Sequence, residues 1–281
     1  MTNGLDQFVR VVLSDDRGVA VESDALDVDF RVDKSRKRNP DSAEVTLYNA
    51  GPSTRGFANT DAEVLEVYAG REEPAKLVFK GEITDVVDSR SDDFIDRTLV
   101  IYAEDNKSTL RTRIVSRTYA TGTSLRGAFS DLASAAEMQL DYKGPELFLP
   151  SPMTFLGPPR EGLKDLSARF GLRYQIVDRR IMVRLEDDPV SSSVPLVSSE
   201  TGLLGVPQPT REKKGSKFKL TFRTMLDGAL VPGGLCSVKT EAIDTRKAKV
   251  KAGAVYFIDR VTHSKDTSGT FATECECREY P

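Results

Sequence analysis

Leu26, Val28, Phe30 and Val32 alternate with Asp27, Asp29, Arg31 and Asp33, an apolar–polar period of two. Only an extended chain sorts such residues onto one dry and one wet face, so this stretch predicts a strand of a half-buried sheet. Looser versions recur at Phe8 to Leu13, Ala43 to Asn49, Val64 to Ala69, Leu77 to Val87 and Phe94 to Glu104. Polar or glycine-containing breaks separate them, and one helical turn is expected at Pro52 to Ala58, behind Gly51. A row of short strands predicts an antiparallel barrel or sandwich over residues 1–110.

The pattern changes after Leu110. A short strand at Ile114 to Tyr119 is followed by Thr123 or Ser124, which can cap a helix carrying Leu125, Ala128, Phe129, Leu132, Ala135 and Ala136 on one face. A second helix is expected from Glu161 to Phe170, ended by Gly171. Between them five prolines punctuate a stretch with Phe148, Leu149, Phe155 and Leu156, which reads as an apolar loop that must pack on something. A hairpin at Leu172 to Val177 and Ile181 to Leu185 completes a small α/β domain over 111–190. Beyond the serines at 191–193, β patterning returns at Phe218 to Phe222, Cys236 to Ala242, Val255 to His263 and Thr270 to Arg278. The expected fold class is mainly β (α+β), with domains at 1–110, 111–190 and 191–281.

Composition narrows the chemistry. The 281 residues include one histidine, His263, and no tryptophan, which closes most routes to zinc or imidazole catalysis. Hydrophobic residues at 39% and charged residues at 30% fit a globular chain and exclude a disordered or fibrous one. Apolar runs reach four or five residues, as at Val255 to Ile258, against the roughly 18 a membrane helix needs. The opening Met1-Thr-Asn-Gly-Leu-Asp lacks the features of a secretory signal, so the chain is expected to stay where it is made. Residues 1–106 hold 13 basic against 23 acidic side chains, a net of −10, whereas the remainder is mildly basic. That asymmetry bears on partners, not on fold.

Each reactive-looking group also has a bland reading. His263 with Asp266 and a Thr262 or Ser264 nucleophile would suit a hydrolase, but neighbouring strand residues point to opposite faces, so a turn residue between two strands is expected. Cys236, Cys275 and Cys277 read as reduced core thiols, with no disulfide or metal site. The pairs Asp15-Asp16, Glu72-Glu73, Asp92-Asp93 and Asp187-Asp188 read as solvated loop tips, not glycosidase carboxylates. Arg36-Lys37-Arg38, and Lys213-Lys214 with Lys217 and Lys219, lack the aromatics that would stack bases and read as basic interface loops. The glycines at 202, 205, 233 and 234 form no phosphate loop, so no cofactor is expected.

Lys34-Ser35 with Pro40-Asp41-Ser42-Ala43-Glu44-Val45-Thr46-Leu47-Tyr48-Asn49 and Arg55 resembles the opening domain of bacteriophage tail and baseplate hub proteins, the late control protein D-like family. Asp41 stands where Asn is commoner there, and Ala50 where Leu is. Ser116-Arg117-Thr118-Tyr119, Gly122-Thr123, Leu163 and Leu172-Arg173-Tyr174-Gln175 resemble the hub's second domain. Thr201 to Pro207, Leu230-Val231-Pro232-Gly233 and Val261 to Asp266 with Thr273 resemble its third. The resemblance covers essentially the whole chain through three weak motifs in order.

It implies two tail-tube-like β-barrel domains flanking the α/β domain, and a homotrimeric ring in which three chains present six barrels. Such a ring would adapt a sixfold tail tube, or a tube-initiator protein, to a threefold central spike, contact other baseplate proteins and let DNA pass. The location implied is the virion, and the alternative is a tail-associated cell-wall or polysaccharide hydrolase. Asp27, Asp29 and Asp33 are then candidate lumen-facing charges, and Phe148, Leu149, Phe155 and Leu156 a candidate interface.

Overall fold

The computed structural model describes residues 7–15, 17–23, 27–36, 40–90, 96–105, 108–177, 180–210, 219–240 and 254–280. The first stretch forms β1 (Phe8–Ser14), β2 (Ala20–Ser23), β3 (Val28–Ser35), β4 (Ser42–Tyr48), α1 (Pro52–Thr60), β5 (Val64–Gly70), β6 (Lys76–Arg90) and β7 (Arg97–Glu104). The middle forms α2 (Ser108–Thr112), β8 (Val115–Tyr119), α3 (Leu125–Ala135), β9 (Gln139–Tyr142), β10 (Met153–Gly157), α4 (Pro159–Phe170), β11 (Leu172–Val177) and β12 (Arg180–Leu185). The last forms β13 (Leu196–Val197), β14 (Leu203–Thr210), β15 (Lys219–Met225), β16 (Leu235–Val238), β17 (Val255–Lys265) and β18 (Phe271–Glu279). Among these no helix is long and apolar enough to cross a membrane.

The chain divides into two compact units, one made of Met1–Arg36, Ser42–Ala103 and Pro189–Pro281, the other of Lys37–Asp41 and Glu104–Asp188. The first and last stretches, read from the sequence as separate domains, therefore share a unit. They also share a 13-stranded sheet, whose main path runs β14-β15-β18-β17-β3-β4-β7-β6-β5-β1-β2, with β13 and β16 attached beside β17. The junction is the antiparallel pairing of β17 with β3, from Arg260 opposite Ser35 to Lys265 opposite Phe30.

Two cores lie within this unit. In β3 the buried residues are Val28, Phe30, Val32 and Lys34, so the predicted alternation holds. With Val45, Leu47, Leu65, Val67, Phe79, Leu99 and Ile101 they build one cluster, which also takes in Leu226 and Phe271 from the last third of the chain. Val197, Leu220, Phe222, Leu230, Cys236, Tyr256, Ile258, Val261, Cys275 and Cys277 build the other. Asn49 follows β4 with φ at 54°, a left-handed conformation that asparagine tolerates better than most residues. There its amide group bonds Asp96 and the Arg97 N–H.

In the second unit Ser124 Oγ caps α3 by accepting the Gly127 N–H, and α4 starts at Pro159, two residues before the expected Glu161. Gly171 closes α4 in the left-handed region at φ 63°. Both helices bury an apolar stripe against the sheet β11-β12-β9. The stretch at 145–159, expected to be loop, contains β10, which pairs with β8 from Met153 opposite Tyr119 to Gly157 opposite Val115. Its alternation was hidden by the prolines on either side.

Because Leu226 is 4% exposed inside the core of the first stretch, Leu226→Ala should destabilise the joined unit by about 2–5 kcal/mol. In urea, amide protection of β3 and β17 should be lost in one transition; separate transitions would show that the two stretches fold independently.

Candidate functional site

The wet face of the joined sheet carries a row of side chains on six successive strands. Ser42 lies opposite Asp33, Asp33 opposite Thr262, Thr262 opposite Glu274, Glu274 opposite Arg223, and Arg223 opposite Leu204. Glu44 faces Arg31 one step along. A shallow groove of about 490 Å³ runs here, lined by Asp29, Arg31, Glu44, Arg223, Thr262 and Glu274 among others. Residues from both ends of the chain thus make one continuous polar surface.

Asp33 is the best-held charge on it. Its carboxylate accepts bonds from Arg31 Nε at 2.7 Å, Arg260 Nη2 at 2.9 Å and Thr262 Oγ1 at 2.6 Å. Burial works to raise its pKa, but the bonds from Arg31 and Thr262 outweigh it and hold the carboxyl below its ordinary value. Asp29 is half-buried and accepts the Tyr48 hydroxyl at 2.9 Å, while Asp27 is exposed at the foot of β3. All three candidate aspartates lie off the apolar core, yet they differ: Asp33 is neutralised by two arginines, and Asp27 is open to solvent. Arg260 also approaches Glu276 at 3.7 Å, so the face interleaves both signs.

Arg36, expected in a basic loop, is 5% exposed: its guanidinium sits 4.1 Å over the Phe257 ring and meets Asp259 Oδ1 at 3.1 Å. Arg278 lies 4.6 Å from the same ring and 3.3 Å from the same oxygen. Asp15, expected at a solvated tip, is 6% exposed and takes the amides of Arg17 and Val19. Glu72, Glu73, Asp187 and Asp188 are exposed, Lys219 is exposed, and Asp16, Lys37, Arg38, Asp92, Asp93, Lys213, Lys214 and Lys217 lie outside the described residues.

His263 is no turn residue; it lies inside β17 and is buried. Thr262 Oγ1 is bonded to Asp33, and Asp266 binds Ser268 Oγ and the Thr270 N–H, which hold its pKa near 2. The His263, Asp266 and Thr262 groups proposed for a hydrolase are therefore not brought together. All three cysteines are buried, and desolvation pushes the Cys275 and Cys277 thiols up. Cys236 Sγ is 4.0 Å from Cys277 Sγ, but they sit on β16 and β18, on opposite sides of β17. Among the described residues no group of three or more potential metal ligands occurs.

In the second unit the four candidate interface residues divide. Leu149 and Phe155 are 3% and 8% exposed and belong to its core, whereas Phe148 and Leu156 are 59% and 73% exposed. Leu156 faces outward on the β8–β10 ribbon, opposite Ser116, and Ile114 is 66% exposed at the start of that ribbon.

No protein-family model and no curated protein sequence matches the chain. Solved structures do. The 43 kDa tail protein of prophage MuSo2 from Shewanella oneidensis gives a TM-score of 0.66 at 10% identity, over 96% of this chain and 97% of that one. The tail protein from Neisseria meningitidis MC58 gives 0.67 at 14%, over 97% and 96%. This is a phage tail protein fold. The Escherichia coli c3393 protein, a component of the type VI secretion system with structural similarity to the T4 bacteriophage tail proteins gp27 and gp5, shares it at a TM-score of 0.64 and 12% identity, over 91% of this chain and 74% of that one. With so few identical residues, the likeness is one of backbone course, and it covers both units.

Asp33→Asn removes the carboxylate charge from two half-exposed guanidiniums and should cost about 0.5–1 kcal/mol at pH 7. Asp33 is ionised more readily folded than unfolded, so its contribution is present above its unfolded pKa near 4 and fades as pH falls below it. Urea titrations at pH 7 and pH 3 should therefore show the gap between wild type and variant closing in acid.

Proposed function

We propose that this chain is a structural hub of a phage-type tail or a related injection machine. Three copies close a ring, each contributing its two β stretches as tube-like modules, so that six modules meet the tail tube and the threefold axis meets the central spike. Other baseplate proteins bind the rim, the genome passes through the middle, and the protein works in the assembled virion without catalysis. One observation carries this reading: β3 and β17 join two β stretches, each with its own core, edge to edge in one chain. Three such chains supply six modules, and symmetry matching needs that ratio. The shared phage tail fold over nearly the full length supports it.

In this ring the wet face of the joined sheet lines the channel. Asp33 pairs with Arg31 and Arg260, so these two cations are not free to hold DNA phosphates. Exposed Asp27 adds repulsion at one end of β3. The outward side chains of Phe148 and Leu156 bury against a ring neighbour or another baseplate protein.

Light scattering on the pure protein tests the ring: three chains of 31.0 kDa are expected, and a stable monomer at high concentration counts against it. Leu156→Asp should weaken assembly while leaving thermal stability within about 0.5 kcal/mol, since the side chain is exposed. Hydrolysis of peptidoglycan or polysaccharide by the pure protein, abolished by a carboxylate substitution, would replace the hub by the hydrolase reading.

A further inference from the structure

His263 occupies the middle of the junction between the two ends of the chain. On β17 it lies opposite Val32 of β3 and opposite Thr273 of β18, and it is 1% exposed. Its Nδ1 is 2.9 Å from Thr273 Oγ1, and that oxygen also accepts the Asp227 N–H at 3.0 Å. We assign the hydroxyl proton to Nδ1, which makes the ring the neutral Nε2–H tautomer.

The surroundings oppose a second proton. Lys34, 5% exposed, lies on the same buried face of β3 opposite Val261. Lys265, two residues along β17, donates to the Val28 carbonyl. From β18 the buried face offers Phe271, Thr273 and the Cys275 thiol, none of them anionic. The Asp227 carboxylate accepts the Ala229 N–H within its own turn. No carboxylate on β3, β17 or β18 faces the ring from its buried side among the described residues. Burial first, and then Lys34, hold the His263 pKa down at about 3.

We propose that His263 makes the β3–β17 junction acid-sensitive, so that protonating the ring in the opened junction pulls the two ends of the chain apart before the second unit responds. The sign follows from linkage. The open form takes up a proton below pH about 6.5 and the closed form does not, so the open population rises about tenfold per pH unit on acidification. His263 is the only histidine in the chain. Unfolded carboxylates titrate near pH 4 and thiols above pH 8, so between pH 5 and 6.5 this ring is the one side chain whose opening changes its charge.

Hydrogen exchange of the full chain at pH 7.0 and pH 5.0, corrected for intrinsic rates, reads the effect. Opening of amides in β3 and the second half of β17 should rise about 25-fold, with peptides of Glu104–Asp188 unchanged. In His263→Gln the rise should shrink to less than about twofold. Should that variant fail to fold, the wild-type ring decides the matter by NMR, because a single histidine gives a single imidazole signal. That signal should stay fixed from pH 7 to pH 5 in the folded protein. The proposal is overturned by flat wild-type exchange, by equal loss of protection in the second unit, by an undiminished pH effect in His263→Gln, or by a ring that titrates near pH 6.5 while folded.

Discussion

Six residue pairs, from Arg260 opposite Ser35 to Lys265 opposite Phe30, hold the last third of the chain against the first. The sheet, the shared core and the polar face all depend on them. β17 reaches that position by changing partners. Val255 to Phe257 pair with β16, Arg260 to Lys265 pair with β3, and an irregularity between Ile258 and Arg260 marks the change. A bulge bends a strand and increases its twist, which lets one strand serve two modules. Asp259 stands at that bend, where its carboxylate gathers Arg36 from the first stretch and Arg278 from β18.

Such a junction is entropically expensive to form. Thr262 and Asp33 are 229 residues apart in sequence, so bringing them together closes a very long loop. Compensation comes from apolar area rather than from the surface ion pairs, which contribute little singly. Leu226 and Phe271 reach into the core of the first stretch, so docking buries them. The arginines over Phe257 add contact area and charge in one place.

The wet face follows from the same geometry. Alternation along β3 puts Asp29, Arg31 and Asp33 on one side, and pairing with β17 and β18 brings Thr262, Arg260 and Glu274 beside them. Charges of opposite sign then sit within bonding distance, and the −10 net charge of residues 1–106 does not appear as an acidic wall there.

Local elements were legible in the sequence wherever one period or one cap governed them. The β3 alternation, the Ser124 cap of α3, the Gly171 end of α4 and the hairpin β11–β12 all follow from contacts within a few residues. Short pieces such as β2, β10 and β13 were not legible, because two to five residues beside prolines or serines carry too little pattern. Nor could local pattern separate exposed Phe148 and Leu156 from buried Leu149 and Phe155, since an apolar side chain does not say which neighbour covers it. Composition alone determined that one histidine and three cysteines were available; that His263 is a buried, neutral member of a strand junction was decided only when Val32, Lys34 and Thr273 closed around it. The sequence set which faces are dry and which are wet. Tertiary structure decided which wet faces meet, because strand pairing across more than two hundred residues is specified by the sum of a core and leaves no mark at any one position.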